Sequence, residues 1–124
     1  YPAAVDLVLR TVSRRPAPVL VVSARVLVVL VGDGVISVTA NVAPAAMRRM
    51  IAAALAGDRQ ASEAIDAELA GLHRDLFLEA NPIPVKWALS EMGRIPRGIR
   101  LPLTWFSEQY RDALRQSMAQ AGIN

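Results

Sequence analysis

The sequence predicts an α/β fold in which two short strands are followed by a run of helices, and three observations carry that prediction. Val19-Leu20-Val21-Val22 is a continuous apolar run, the pattern of a parallel strand covered on both faces. Val35-Ile36-Ser37-Val38-Thr39 is a second short segment rich in valine, isoleucine and threonine, the composition strands favour. From Pro44 onward the apolar residues instead recur at three- and four-residue steps, the period of an amphipathic helix.

In chain order, Val5, Val8, Leu9 and Val12 recur at helical spacing until Pro16 and Pro18 close the segment, so a helix precedes the first strand. Gly32-Asp33-Gly34 then turns the chain into the second strand. It lacks P-loop spacing and a helix start directly after it, so it reads as a plain turn and not as a phosphate cradle. Met47, Met50, Ile51, Ala54 and Leu55 share one face of a helix that Gly57 stops, and Asp58 caps the next. Ile65, Leu69, Leu72 and Leu76 describe a long amphipathic helix over 59–78.

In Asn81-Pro82-Ile83-Pro84-Val85-Lys86-Trp87, two prolines flank one aliphatic residue. That is tolerable where a helix begins, because first-turn amides have no intrahelical partner. Asn81 is expected to cap this helix, Ala88, Leu89 and Met92 to continue its apolar face, and Gly93 to end it. A linker-like stretch over 94–100 leads to a last helix over 107–121, ended by Gly122. A strand, crossover, strand unit with a helical tail suits the end of a β/α barrel. The division is expected between residues 1–57 and 58–124.

Composition narrows the function. The chain has 124 residues, 53% of them hydrophobic, enough for a packed core. Its net charge of +3 comes from 14 basic residues, all but Lys86 arginine, scattered among 11 acids. Only Arg14-Arg15 and Arg48-Arg49 are adjacent, so no basic stripe forms and nucleic-acid binding is not expected. With no cysteine, disulfides, thiolate catalysis and thiolate metal sites are excluded. The most apolar stretch, 19–31, carries Ser23 and Arg25 near its centre and is shorter than the ~20 residues of a bilayer span; no membrane partner is expected. The chain opens on Tyr1-Pro2 without an initiator methionine, basic leader or cleavage site, and reads as a cut or incomplete chain.

The sequence Leu72-His73-Arg74-Asp75-Leu76-Phe77-Leu78-Glu79-Ala80, running into the two-proline segment and followed by Leu101-Pro102-Leu103-Thr104, resembles the C-terminal region of the dihydrodipicolinate synthase family. Gly34-Val35-Ile36-Ser37-Val38-Thr39-Ala40-Asn41-Val42 resembles the last barrel strand of the same family, in the order the family requires. The resemblance implies the last two strands of a TIM (β/α)8 barrel and a helical C-terminal extension, roughly half of a fold of ~250 residues.

It implies, further, a class I aldolase-type lyase of lysine biosynthesis that condenses pyruvate with aspartate semialdehyde. The family's reaction passes through a Schiff base on a lysine, with a tyrosine and threonine hydroxyls relaying protons. Those residues precede the matched region, so no catalytic residue is assigned here and this chain alone is expected to be inactive. Ile36 is the one substrate-binding residue carried over, as a border of the pyruvate pocket. No cofactor or metal, a cytoplasmic location and a homotetramer are implied as well. The chain departs from the family's pattern at Ala24-Arg25-Val26, where Gly-Asp-Asp is usual, and at Trp105, where proline is common.

Other residues have plainer readings. Lys86, the only lysine, serves the helix start, with no acid-base partner recognisable nearby. His73, the only histidine, falls among Leu69, Leu72 and Leu76 and reads as a packing or interface residue, while Glu63, Asp66 and Glu79 read as solvated helix charges. Tyr1 and Tyr110 are placed wrongly for a proton relay. The alternative function is a non-catalytic helical oligomerisation or interaction module, in which strand edges near Val19 and Val35 pair with another copy.

Overall fold

Pro44 sets the first boundary of the described chain, which comprises Val35 and residues 37–123 of a computed structural model. A proline disfavours helical geometry in the residue before it, and Ala43 accordingly takes φ −126° and ψ 57°. This splits a single turn, α1 (Thr39–Val42), from α2 (Pro44–Leu55). Three further helices follow among the described residues: α3 (Arg59–Asp75), α4 (Ile83–Glu91) and α5 (Glu108–Gln120). The expected helix over 5–12, the strand over 19–22, the Gly32-Asp33-Gly34 turn and Ile36 lie outside the described residues.

The strand expected over 35–39 is not formed by the described part of that segment. Val38 has right-handed helical geometry, φ −63° and ψ −42°, and Thr39 opens α1. A strand needs a hydrogen-bonded neighbour, and none pairs with Val35 or Ser37 among the described residues. Local bonds win over β-branched composition: Asn41 N donates to Val38 O at 3.1 Å and Ala43 N to Thr39 O at 2.8 Å.

From Pro44 the helices follow the predicted order. α2 buries Met47 and Met50 and ends at Gly57, whose φ of 80° is open to glycine at little cost. There Asp58 N donates to Ala53 O and Gly57 N to Ala54 O, the paired bonds of a Schellman end. Asp58 then caps α3, its Oδ1 accepting from Ala61 N at 3.0 Å. α3 ends at Asp75, three residues before the predicted 78, and buries Leu69, Leu72, His73 and Asp75.

Asn81 does not cap α4; Pro82 holds that position, and no side-chain cap is made. The reason lies in the donors that need partners. Pro84 has no N–H, Ile83 N donates to Ala80 O at 2.9 Å, and Lys86 N to Pro82 O at 3.0 Å, which leaves only Val85 of the first turn for a cap to satisfy. Gly93 ends α4 as predicted. Ser107 precedes α5 and makes no cap bond of its own.

The core lies where α3, α4 and α5 converge with the α1–α2 corner. Leu72, Leu76, Ala88, Phe106 and Leu114 are wholly buried, with Trp87, Met47 and Met50 almost so. Burial of a large apolar side chain stabilises by about 1.5–3 kcal/mol, so this cluster holds the helices together. α3 is the central element, packed against α2 on one side and α5 on the other.

Candidate functional site

Residues 37–41 and the two-proline sequence meet in space. Ser37, Val38 and Asn41 from the first and Asn81, Val85 and Lys86 from the second line a cleft of about 400 Å³. Pro84 lets α4 begin at this point, and the helix lifts Lys86 to the cleft wall, where it is half-buried. Asn41 is held by its side-chain amide, which donates to Val38 O at 3.0 Å. The Ser37 hydroxyl is shielded from water and has no hydrogen-bond partner among the described residues.

No carboxylate, histidine or tyrosine lines this cleft, and Lys86 belongs to none of the ion pairs among the described residues. An amine nucleophile acting through a Schiff base needs a proton acceptor and donor within reach. The arrangement can hold and orient; it has no described proton relay. Tyr110 is likewise unavailable, since its ring packs beside Phe106 at 6.2 Å. A second and larger cleft, about 850 Å³, opens between the start of α2 and the end of α5 and presents Arg49 and Arg94.

Three polar assemblies were not visible as such in the sequence. In the first, His73 is 2% exposed; its Nδ1 lies 2.8 Å from Thr39 Oγ1, and its Nε2 is 3.4 Å from Asp66 Oδ1 but makes no hydrogen bond among the described residues. Burial pushes the imidazole below its ordinary 6.5 and the Asp66 carboxyl above its ordinary 3.8. Asp66 is therefore not the solvated charge that its helical spacing implied.

In the second, Asp75 on α3 accepts from the Arg74 guanidinium at 2.6 and 2.9 Å and from the Ser117 hydroxyl on α5. Burial alone raises this carboxyl, but the hydrogen bonds from Arg74 and Ser117 and the Arg74 charge outweigh it, and the net direction is down. In the third, Glu79 accepts from both the hydroxyl and the backbone N–H of Ser107. Glu79 thus places its charge at the start of α5, where the helix dipole favours an anion, and it too differs from the solvated charge expected. Glu63 alone of the three keeps that character, exposed and paired with Arg59 at 2.6 Å.

No cluster of three or more metal-ligating side chains occurs among the described residues, and no helix there is long and apolar enough to cross a membrane. Ile36, the residue expected to border a substrate, lies outside the described residues.

Comparison with known proteins places these features in a context. A sequence profile of the dihydrodipicolinate synthetase family matches residues 24–121. The 4-hydroxy-tetrahydrodipicolinate synthase of Methylococcus capsulatus is 64% identical over 92 residues, which are 74% of this chain and 32% of the relative. That of Pseudomonas aeruginosa is 60% identical over 97 residues, 78% of this chain and 33% of the relative. Among solved structures, a chloride-inhibited dihydrodipicolinate synthase from Acinetobacter baumannii complexed with pyruvate superposes with a TM-score of 0.73 at 55% identity, over 77% of this chain and 33% of that one. A structure described as the first monomeric dihydrodipicolinate synthase variant gives a TM-score of 0.72 at 43% identity, over 75% of this chain and 31% of that one. The chain spans about a third of the length of the relatives it matches.

Proposed function

The chain belongs to the dihydrodipicolinate synthetase family, and from that premise we propose that it forms part of a pyruvate-dependent carbon-carbon lyase or synthase of lysine biosynthesis. The reaction is the condensation of pyruvate with aspartate semialdehyde through a Schiff base. In this reading residues 1–57 contribute the last part of a (β/α)8 barrel and residues 58–124 its helical extension. Ile36 borders the pyruvate pocket, whereas the Schiff-base lysine and the relay tyrosine come from outside this chain.

The observation that carries the proposal is the family profile's match over residues 24–121 together with 64% and 60% identity to two synthases over 92 and 97 residues, joined to structural similarity with a pyruvate-bound member. Lys86 supports the division of roles, since no described acid or base stands beside it.

Two experiments test this reading. Borohydride reduction of this chain in the presence of pyruvate is expected to leave its mass unchanged; an adduct on Lys86 would overturn the division of roles. Residues 24–121 grafted in place of the matching third of the Methylococcus capsulatus synthase are expected to give a chimera that traps pyruvate and forms product. A folded chimera that traps none would refute membership in the reaction.

A further inference from the structure

Thr39 and His73 are 34 residues apart in sequence and meet at 2.8 Å in a buried contact. Both are almost completely shielded, at 1% and 2% exposure, and the ring's other nitrogen looks along α3 to Asp66 Oδ1. A neutral imidazole has one donor and one acceptor. Nε2 makes no hydrogen bond among the described residues, and a hydroxyl can donate or accept, so the Thr39 contact on Nδ1 is open to either tautomer.

α1 is a single turn whose first residue follows no side-chain cap, and four residues are far too few to hold a helix unaided. Its attachment must come from tertiary contacts: it packs on α4, Val42 is inserted in the core, and the Thr39 hydroxyl meets His73. The apolar contact tolerates sliding, because dispersion and burial have little directional preference. The hydrogen bond does not, because it requires both a distance and an angle. The surroundings sharpen the point: Leu69, Leu72 and Leu76 flank His73 on α3, so an apolar side chain would have packed there without desolvating an imidazole.

We propose that Thr39 and His73 form a latch that fixes the register of residues 37–42 on α3, and that both are thereby positioning residues for the pyruvate pocket. Thr39 follows Ile36 by three residues, so a shift at Thr39 is passed to the pocket border within a very short stretch of chain. The link to the pocket rests on the family reading above; the latch itself rests only on the contacts among α1 and α3.

Amide hydrogen exchange on the full 124-residue chain tests the latch. Thr39→Val keeps the side-chain volume and deletes the hydroxyl, His73→Phe keeps a ring and deletes both nitrogens, and Thr39→Ser retains the hydroxyl. Exchange at the Asn41 and Ala43 amides is expected to quicken about tenfold in the first two variants and to stay near the parent rate in the third, with Leu114 and Met118 of α5 unaffected. No change at Asn41 and Ala43, or equal quickening throughout α5, overturns the latch. In the grafted chimera, Thr39→Val is expected to raise KM for pyruvate several-fold while kcat holds and Thr39→Ser restores KM; an unchanged KM beside quickened exchange overturns the positioning role. If the unsubstituted chimera fails to trap pyruvate, the family reading is at fault, and the exchange rates still decide the latch.

Discussion

Ser117 on α5 stands so close to Gly71 on α3 that a Cβ on the glycine would lie 2.6 Å from the serine hydroxyl oxygen and 3.0 Å from its Cβ. The hydroxyl has little freedom to withdraw, because it donates to the buried Asp75 carboxylate one turn further along α3. Gly71→Ala should therefore lose more than it gains. Helix propensity favours alanine by about 1 kcal/mol, while overpacking a tight contact costs about 1–3 kcal/mol. A net loss of stability is expected in urea denaturation, and Ser117→Ala combined with it should recover part of the loss, a coupling that distant sites would not show. A Gly71→Ala protein more stable than the parent would mean that α3 and α5 separate easily.

Asp75 binds both Arg74 and Ser117, and its removal should be felt at each. Asp75→Asn leaves one acceptor oxygen where the carboxylate offers two, and hydrogen bonds to a charged group contribute about 1.5–3 kcal/mol. A loss of that order is expected at neutral pH. The sign of the pH dependence follows from the depressed carboxyl: the unfolded chain takes up the proton first, so the stabilisation is complete above about pH 4 and fades as pH falls below it. Urea midpoints measured between pH 3 and 7 should show an acid limb in the parent that is shallower in Asp75→Asn. Limbs of equal steepness would assign the acid sensitivity to other carboxylates.

The helices and their ends were legible because they are set locally. Asp58 caps α3, Gly57 and Gly93 end their helices, and Pro44 opens α2, each through bonds that span only a few residues. Residues 35–39 read as strand from their valine, isoleucine and threonine, but the described part of that segment leads into a turn held by the Val38 carbonyl and by His73, the second a partner far along the chain. Asp66 and Glu79 read as solvated charges for the same reason. Asp66 is half-buried beside the His73 ring, and Glu79 accepts from Ser107, contacts that form only when the chain packs. Resemblance to the family, by contrast, was carried by short contiguous motifs and needed no packing to be recognised.

His73 is the only histidine in the chain, so its titration is readable without interference from another. Burial lowers its pKa in the folded protein, which means that the unfolded chain binds a proton first as pH drops through about 6.5. Stability is expected to be at its plateau above that pH and to decline below it until the folded ring also protonates. Asp66 acts oppositely: burial raises its pKa, so its ionisation erodes stability as pH climbs above about 3.8. Thermal midpoints at pH 5, 6 and 7 should fall toward acid in the parent, and the decline near pH 6 should vanish in His73→Phe. A decline near pH 6 that persists without His73 would contradict the shift.

Phe106 tests whether the core or the surface charges hold α4 to α5. Its ring lies 5.3 Å from that of Trp87, and both are buried; on Trp87's other flank the Arg115 guanidinium sits 5.2 Å from the ring while bonding to Glu91 on α4. Exposed ion pairs contribute at most about 1 kcal/mol, whereas replacing a buried phenylalanine by alanine costs about 3–5 kcal/mol. Phe106→Ala should therefore destabilise severalfold more than Glu91→Gln, and the cavity should admit water to Trp87, shifting its fluorescence to longer wavelength. Trp105 is the only other tryptophan in the chain and lies under Arg97, so Trp105→Phe isolates the Trp87 signal. Equal losses from the two substitutions would show that the Arg115 network, and not the aromatic pair, fixes the two helices together.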